Sequence, residues 1–523
     1  MRMTVTTKRW LGALCGGLLA LTCPAASVPR AAEGLPGQSP DLRVCVTLDV
    51  TGELVASTGR DTVAIREPVE MAARFDFEES AAASLPDGET AGPAGGSRLV
   101  ARRHYREATA SMRIGDVTTN TELAADARHL LVARRGTTPL PYLANGFLSG
   151  EEFDLLDTPF DSVLIEDILP QTPMVVGQSW EIPGDVTAGL LSIDTVESGV
   201  IEARIEEVSD ASAIVVISGI IDGAVDGVPT HLTVEGSLRV PARNAAPTAD
   251  IDEPPPERHE LYGRVTQVSV VLKERRQASH VAPGFEVEAR VLVERTAIGQ
   301  AVDRAAVAGA SLPETVAAAE SASAMGGPAA SQRRPGVGEP DRVWYRESAD
   351  RFDLVHDTRW RRVEDGPNGL VMRLVDRGAL LGQCSITSLP QAPASAPPTR
   401  EDLQRDIERS LAGQVVRVEA GEETDRGDGL RIVRLVSTGT AGSLPFRWIH
   451  YVIVAADGRR ASVTFMFEES MLQRFAEADR PLIEGLRLPS GPSAGQSSPE
   501  NPAVPGPTGP TAALPDAALQ QTR

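Results

Sequence analysis

The stretch AIVVISGIIDGAV, residues 213–225, is dense in β-branched apolar residues, and turn residues separate it from PTHLTVEGSLRV, residues 229–240. Apolar runs of this kind, broken by turn residues, are typical of β-strands. Long consecutive strands joined by short breaks form antiparallel meanders. The stretch therefore predicts part of an antiparallel β-sheet.

The same pattern extends over residues 41–300. SGEEFDLLDTPFDSVLIEDIL, residues 149–169, interrupts it and predicts short helices, and residues 79–97 and 242–260 are interpreted as surface loops. We expect residues 41–300 to form a mainly antiparallel β-sheet domain with a short helical insertion. A LolA-like half-barrel is one form that such a sheet can take. The other predicted strands are RVCVTLDVTGELV, TVAIREPVEMAARFDF, SRLVARRHYREATASMRI, GVIEARIEEV, RVTQVSVVLKERR and FEVEARVLVER.

Composition sets the remaining boundaries. Residues 301–340 are rich in Ala, Gly, Ser and Pro and predict a disordered linker, and the tail 489–523 is Pro/Gly/Ser-rich and is predicted to be disordered as well. A second globular domain is expected between them, over residues 341–488. Length alone predicts two to four domains.

The second domain mixes strands and helices. RFDLVH, GLVMRLVD and GALLGQCSITSL predict three strands, and a helix follows over residues 399–412. Thr399 with Asp402 makes the N-cap, and Gly413 ends the helix. Four strands and a closing helix, residues 471–488, complete the domain, with a kink or split expected at Pro481. The order β-β-β-α-β-β-β-β-α predicts an α+β layered antiparallel sheet.

The N-terminus resembles a secretory signal. A basic start precedes the apolar run LGALCGGLLALTC, residues 11–23, and small residues follow in 24–32, so residues 1–32 are predicted to be a cleaved signal peptide. The apolar run is shorter than the roughly 20 residues that span a bilayer. An uncleaved anchor is the alternative, and a lipoprotein signal fits the residues before Cys23 less well. We expect an exported protein, periplasmic or extracellular, with no transmembrane span.

Charge and cysteines limit the function classes. The net charge is −21, and it becomes −25 when Arg2, Lys8, Arg9 and Arg30 leave with the signal. Such a chain repels nucleic acid and anionic lipid. Cys45 and Cys384 remain after cleavage, and both an interdomain disulfide and two buried free thiols are consistent with their positions.

No motif for catalysis or cofactor binding is present. The seven histidines show no i,i+4 zinc pair, and neither a nucleophile elbow nor a phosphate-binding glycine loop occurs. His280, beside Ser279 and a Pro-Gly turn, is best explained as a turn residue. No catalytic residue, cofactor or metal is therefore expected. The histidines are His104, His129, His231, His259, His280, His356 and His450.

Two acidic clusters are candidate cation sites because oxygen ligands suit hard cations. Neither has EF-hand spacing, and Ser149 followed by acids is better explained as a helix start. Aromatic residues make up only 4% of the chain, which argues against a sugar-binding cleft. The clusters are Glu151, Glu152 and Asp154, and Asp250, Asp252 and Glu253.

RFDLVHDTRWRRV, residues 351–363, and the ending DGRRASVTFMFEESMLQRFAEADRPLIEGLRL resemble the PsbP-like and DcrB-like superfamily. Phe352, Leu354 and Trp360 occupy the positions of its opening pattern. The resemblance covers about 140 residues and implies an α/β/α-layered accessory or binding domain with no catalytic residues.

The first domain is similar to exported proteins of unknown function from planctomycete bacteria. LPQTPMVVGQSWEIP, residues 169–183, and the turn His280–Gly284 match their pattern. That resemblance implies export and a sheet fold but assigns no site. In the first stretch, Pro170 and Pro173 bar a helix, and Trp180 offers packing surface for entry into the sheet.

These observations favour a non-catalytic exported protein that acts in binding or envelope assembly, with a protein or an apolar ligand as its partner. One alternative is a carrier that holds an apolar ligand or lipoprotein on the concave face of the first sheet. Another is a hydrolase whose site converges from residues distant in sequence. A third is an interaction module tethered by the tail.

Overall fold

The computed structural model describes residues 41–56, 65–82, 97–170, 176–209, 212–244, 259–261, 264–276, 283–298, 336–347, 350–366, 369–391, 399–411, 415–441 and 443–489. They fall into two compact units, one up to Arg342 and one from Val343 on. The predicted signal peptide 1–32, the tail from residue 490 and linker residues 301–335 lie outside the described residues.

The N-terminal unit is built mainly from antiparallel strands, as predicted. Its helices are α1 (Gly150–Leu156) and α2 (Gly184–Leu190), with 3-10 turns at Ala125–Ala127 and Ile165–Ile168. Its strands are β1 (Leu42–Ala56), β2 (Ile65–Ala81), β3 (Arg98–Ile114), β4 (Val117–Glu122), β5 (His129–Arg135), β6 (Thr138–Tyr142), β7 (Leu148–Ser149), β8 (Ser179–Ile182), β9 (Thr195–Val208), β10 (Ser212–Val225), β11 (Val228–Asn244), β12 (His259–Leu261), β13 (Gln267–Arg276) and β14 (Gly284–Ala297).

Thirteen of these strands form one sheet in the order β6-β5-β3-β2-β1-β14-β13-β11-β10-β9-β8, with β4 beside β3 and β12 beside β11. The order departs from a simple meander in one place, because the first strand pairs with the last, from Leu42 opposite Ala297 to Val55 opposite Gly284. Neighbouring strands throughout are antiparallel.

Side chains alternate between the two faces of this sheet, as the period-two pattern predicts. In β1, Val44, Leu48 and Val50 are at most 1% exposed, whereas Thr47 and Asp49 between them face solvent. The inner face is therefore apolar and covered, and the outer face is polar. Arginine–carboxylate pairs such as Arg43–Asp76 and Arg113–Glu70 lie on the outer face.

Several short elements of this unit were not predicted, including β7 and β12. The strands β4, β5 and β6 and helix α2 lack a clear apolar period: β4 reads VTTNTE and has no buried residue. The strand β4 exists because the main chain of β3 supplies its hydrogen-bond partners. By contrast, the predicted helices in 149–169 are confirmed by α1 and the turn Ile165–Ile168.

The C-terminal unit contains a seven-stranded antiparallel sheet in the order β17-β18-β19-β23-β22-β21-β20. Strands β24, β16 and β15 belong to a second, smaller sheet. Its elements are β15 (Arg342–Arg346), β16 (Asp353–Asp357), β17 (Trp360–Gly366), β18 (Gly369–Asp376), β19 (Ala379–Leu389), α3 (Arg400–Ser410), β20 (Val415–Asp425), β21 (Leu430–Ala441), β22 (Leu444–Ala455), β23 (Arg460–Glu468), a 3-10 turn (Glu469–Met471), α4 (Leu472–Phe475), α5 (Asp479–Gly485) and β24 (Leu486–Arg487).

One face of the seven-stranded sheet carries the apolar core of this unit, which includes Phe352, Trp360, Phe465 and Phe475. On the opposite face, α3 packs against β20 and β21 with Ile407 buried. The predicted N-cap of this helix is confirmed, since Thr399 and Asp402 form a reciprocal capping box. Gly413, the predicted end, lies outside the described residues.

The prediction of one helix over 471–488 with a break at Pro481 is wrong in its details. The break falls earlier, where Ala476 and Glu477 adopt left-handed backbone with φ of 43° and 59°. Pro481 instead lies in the first turn of α5, where a missing N–H is tolerated because it has no helical acceptor. The last residues, Leu486–Arg487, form strand β24.

Candidate functional site

The acidic insertion, residues 150–169, contacts strands from both halves of the N-terminal sheet. It contains seven carboxylates and no lysine or arginine. Most of its apolar side chains are buried, and Phe153, Phe160 and Ile165 are at most 5% exposed. The insertion therefore combines a buried apolar side with acids that need cationic partners, and the sheet supplies those partners.

A buried ionic cluster forms around Arg103 of β3. Its guanidinium donates to both carboxylate oxygens of Asp161, at 2.5 and 2.9 Å, and through Nε to Glu79 of β2 at 2.9 Å. Ser162 accepts a further bond from Arg103 and donates to Glu79. Burial lowers the pKa of Arg103, but the negative groups around it, Asp161 first, together outweigh burial and hold the pKa well above its ordinary value. Burial also raises the pKa of Tyr105, in contact with Arg103, to about 12.

Two further ion pairs attach the same insertion. Glu166 accepts from Arg295 of β14 at 2.5 Å and from the main-chain N–H of Val265 at 3.3 Å. Asp167 pairs with Arg134 of β5. These acids reach strands that are separated by β3, β2 and β1 in the sheet. The insertion is thus joined to several strands at once, which indicates a structural role for the acids.

Helix α2 contacts the sheet near the edge formed by β8 and β9, and it also contacts the β5–β6 hairpin at the other edge. It packs on β9, while the hydroxyl of Thr137 donates to the carbonyl of Asp185 at 2.6 Å. A Cβ on Gly189 would lie 2.2 Å from the carbonyl oxygen of Thr137, so the contact requires glycine. Both edge regions of the sheet therefore contact the segment that runs from α1 to α2.

A second buried charge pair lies on the inner face near the ends of β11 and β13. Glu274 accepts from Thr230 at 2.5 Å and from Arg276 at 2.7 Å, both at Oε1. Burial raises the pKa of Glu274 in spite of Arg276. Its Oε2 atom and Nε of Arg276 are buried without a hydrogen-bond partner. The guanidinium of Arg276 lies 4.4 Å from the ring centre of Phe285.

Ser198, Asp222 and His231 form a row across the outer face of β9, β10 and β11. Ser198 donates to one carboxylate oxygen of Asp222 at 3.0 Å, and Nδ1 of His231 lies 2.7 Å from the other. The hydrogen bond with His231 lowers the pKa of Asp222. A serine nucleophile needs the imidazole between serine and carboxylate. Here the carboxylate is in the middle, so His231 does not activate Ser198.

The C-terminal unit contains a histidine between two hydroxyls. Nε2 of His450 lies 3.3 Å from the hydroxyl of Ser437, and Nδ1 lies 3.4 Å from that of Thr464. Burial lowers the pKa of His450 to about 4, so the imidazole is neutral at pH 7. Ser437 has no exposed surface. A substrate does not reach this hydroxyl in the observed conformation.

An apolar patch lies on the outer face of β9 and β10, where Val200 and Ile220 are directly opposite each other and 49% and 55% exposed. Val216 of β10 is half-buried on the same face. We call these three residues the outer patch. Six exposed acids of β9–β11 surround it, against two exposed arginines, Arg204 and Arg239. The acids are Glu197, Glu202, Glu206, Glu207, Asp222 and Glu235.

These acids have fewer arginine partners than the acids on the other half of the outer face. Around β1–β3, carboxylates such as Asp76 and Glu70 are neutralised by arginines. Within the described part of the chain, Glu197, Glu202 and Glu235 form no ion pair or side-chain hydrogen bond. The outer patch is therefore an apolar centre with an acidic border, in which Glu197, Glu202 and Glu235 have no cationic partner among the described residues.

The two acidic clusters noted in the sequence do not form a common site among the described residues. Glu152 is buried and completes a capping box with Ser149, as predicted from the helix start. Over the described ranges, no group of three His, Cys, Asp or Glu side chains is arranged to hold a metal ion. Asp250, Asp252, Glu253 and His280 lie outside the described residues.

The stretch 169–183 enters the sheet through β8, as proposed from its residues. The indole of Trp180 donates to the carbonyl of Ile168 at 2.8 Å, and Gly177 adopts a φ of +85° at the turn before β8. Residues 171–175, with Pro173, lie outside the described residues. Neither Cys45 nor Cys384 forms a disulfide: Cys384 is buried, as expected, whereas Cys45 is only partly buried on the outer face.

Sequence reasoning missed the ionic cluster and the outer patch. The cluster joins residues 24 to 83 positions apart, so no local pattern marks it. The outer patch had a signal in the sequence, because apolar residues in AIVVISGIIDGAV occupy both odd and even positions of the strand. An apolar run without alternation indicates a strand with apolar side chains on both faces.

No family model and no curated protein matches the chain. Among solved structures, the cyanobacterial PsbP of Synechocystis sp. PCC 6803 is 16% identical over 29% of this chain and 95% of its own, with a TM-score of 0.24. A lipovitellin structure is 8% identical over 51% of this chain, with a TM-score of 0.24, and this chain spans 26% of its length.

A loop-deletion mutant of the Vibrio cholerae outer membrane protein OmpT is 6% identical over 82% of this chain and 99% of its own, with a TM-score of 0.11. At these scores the PsbP match stands as a distant resemblance, and none of the three supports an inference about binding. In the part of the chain that the structure describes, no helix has the length and apolarity to cross a membrane.

Proposed function

We propose that this chain is an exported, non-catalytic accessory protein that binds a partner protein through the outer patch. The observation that carries the proposal is the exposed pair Val200–Ile220 on a mainly acidic surface, where Glu202 and Glu235 have no cationic partner among the described residues. Side chains of this size exposed together on an otherwise charged face favour an interaction surface. The sheet presents the patch on long paired strands, so the surface is rigid before binding.

The charges around the outer patch define the partner's chemistry. Glu202 and Glu235 lie opposite Ser218 on its two neighbouring strands, between Ile220 and Val216. A complementary surface has an apolar centre and a border of lysine or arginine, because like charges placed across an interface are unfavourable. Such an interface weakens as salt rises, since exposed charges are screened within about 10 Å at 0.1 M ionic strength.

Photo-crosslinking in the exporting cells tests the proposal. A photoreactive amino acid replaces Ser218, in the patch, or Ser111, an exposed residue of β3 on the outer face, as the matched control. We expect one discrete adduct from position 218, with the crosslinked peptide rich in Lys or Arg, and none from position 111. Ile220→Asp should abolish the adduct, whereas Val117→Asp, at an exposed valine of β4, should leave it.

Identical adducts from both positions, or no adduct from position 218, would reject the outer patch as a binding surface. An adduct that survives Ile220→Asp would reject it as well. The charge argument has its own check, because Glu202→Lys with Glu235→Lys should lower adduct yield at low salt more than at high salt.

The carrier alternative rests on a different observation, the apolar inner face of the N-terminal sheet. That face is covered, with Val44 and Leu48 at 0% exposure, so a ligand would need the acidic insertion to move. Native mass spectrometry of the exported protein separates the two proposals: a stoichiometric lipid supports a carrier. The hydrolase alternative finds no serine–histidine–carboxylate chain in the correct order among the clusters that the structure describes.

The finer fold assignments belong to the same proposal. They are a LolA-like half-barrel for the N-terminal unit, whose inner face is apolar and buried, and a PsbP-like fold for the C-terminal unit, for which cyanobacterial PsbP offers only a distant resemblance. Both assignments describe known scaffolds for binding rather than chemistry.

A further inference from the structure

His104 of β3 and His129 of β5 are directly opposite each other across two antiparallel strands. The main-chain N–H of Tyr105 donates to the carbonyl of Arg128 at 2.8 Å. That bond joins the residue after one histidine to the residue before the other, which makes the histidines a non-hydrogen-bonded pair. Side chains approach most closely at such pairs.

The two imidazoles are stacked and exposed. Their ring centres are 4.3 Å apart and the ring planes differ by 12°. Both side chains lie on the outer face of the sheet. Neither ring nitrogen of either residue forms a hydrogen bond to another described residue. Four imidazole nitrogens are therefore uncommitted at one place on the surface.

Burial lowers the pKa of His129, and the neighbouring His104 lowers it further.

The surrounding charges indicate which ions fit. Glu78 of β2 is opposite His104 but is held by Arg106, and Arg128 is paired with Glu122. Arg102 lies two positions from His104 on the same face. No free carboxylate is thus available among these neighbours for a hard cation. Binding here depends on imidazole nitrogen, which suits copper, zinc and nickel.

We propose that His104 and His129 form a two-ligand site for a divalent first-row transition metal ion, with Cu²⁺ bound most tightly. Two bonds of about 2.05 Å at a tetrahedral angle place the nitrogens about 3.3 Å apart. From the stacked arrangement, with ring planes 12° apart, the two side chains must rotate so that one nitrogen of each ring points at the same ion. In the described part of the chain no third protein ligand completes the group, so water fills the other positions.

Copper and zinc titration of the untagged chain lacking residues 1–32 tests the site. Isothermal titration calorimetry should show one Cu²⁺ per chain and a weaker Zn²⁺ equivalent, in the order that divalent ions follow. Cu²⁺ electron paramagnetic resonance should show nitrogen couplings from two imidazoles. Because two linked ligands bind cooperatively, His104→Ala or His129→Ala should each lower the Cu²⁺ affinity about 100-fold.

His231→Ala is the matched control, since His231 is also exposed on the outer face but bonds to Asp222. It should leave the tight Cu²⁺ equivalent unchanged. Circular dichroism checks that all three variants keep their strands. No tight Cu²⁺ binding by the unaltered chain, undiminished binding by His104→Ala, or equal loss in His231→Ala would each overturn the proposal.

Discussion

Arg103 donates two hydrogen bonds to Asp161 across 58 positions of sequence, and this contact fastens the acidic insertion to the sheet. Both side chains are at most 7% exposed. The pair has its remaining hydrogen-bonding capacity met by Glu79 and Ser162. Removing one partner of such a buried, fully hydrogen-bonded pair lowers the free energy of unfolding strongly, because the other charge stays buried without its partner.

Arg103→Met should therefore destabilise the N-terminal unit by about 3–5 kcal/mol. The matched control is Arg113→Met, which breaks the exposed pair with Glu70 and should cost under about 1 kcal/mol. Urea unfolding followed by circular dichroism measures both. Equal losses in the two variants would contradict the assignment of the cluster as the attachment of the insertion.

The pair Glu274–Arg276 should behave differently when it is removed as a whole. Burial raises the pKa of Glu274 in spite of Arg276, so the charged pair is poorly compensated on the apolar inner face. Glu274→Leu alone should destabilise by about 3 kcal/mol or more, whereas Glu274→Leu with Arg276→Met should be neutral or stabilising. Thermal unfolding of both variants provides the measurement. A double variant less stable than the single one would show that the pair has a net stabilising role.

Acid should destabilise the C-terminal unit through its buried histidines. Burial lowers the pKa of His450 and of His356 to about 4. An imidazole in the unfolded chain titrates near 6.5, so between pH 6.5 and 4 the unfolded state binds protons that the folded state does not. The free energy of unfolding is therefore highest above about pH 6.5. It falls as the pH drops towards 4, by up to about 3 kcal/mol per histidine.

Tryptophan fluorescence measures this loss if Trp180 is replaced by phenylalanine in the chain lacking residues 1–32. The remaining tryptophans, Trp344, Trp360 and Trp448, then all report on the C-terminal unit. His450→Gln should remove about half of the pH dependence of the unfolding free energy. An unchanged slope would mean that His450 is already protonated, or exposed, in the folded protein.

The two thiols should react at very different rates. Cys45 is partly buried, with its sulfur 3.9 Å from a carboxylate oxygen of Asp76, whereas Cys384 has no exposed surface. Burial raises the pKa of Cys384 well above its ordinary value, which disfavours the reactive thiolate. A thiol reagent should modify Cys45 in the folded chain lacking residues 1–32 and Cys384 only after unfolding. Recovery of a disulfide-linked chain would contradict this.

Features with a local cause were predictable from the sequence. The alternation through Val44, Leu48 and Val50 indicated which face of β1 is buried, because side chains alternate along a strand. The helix start at Ser149 and the capping pair of Thr399 with Asp402 were predictable because the interacting residues are close in sequence. Such signals depend on spacing within one element.

Features that depend on strand register were not predictable. His104 and His129 are 25 positions apart, and a shift of one residue in either strand would turn one imidazole to the inner face. The break at Ala476 likewise follows a tertiary contact, since Asp479 at the start of α5 is buried against Arg434 and Tyr451. No single-sequence period contains that information.

The pairing of β1 with β14 has a consequence for how the protein forms. One edge of β1 has no partner until residue 284 and those after it have been synthesised. Contacts this distant in sequence slow folding, and an open strand edge can pair with other chains in the meantime. The N-terminal unit should therefore fold as a whole and late, and a chain cut before Gly284 is expected to aggregate rather than form a smaller sheet.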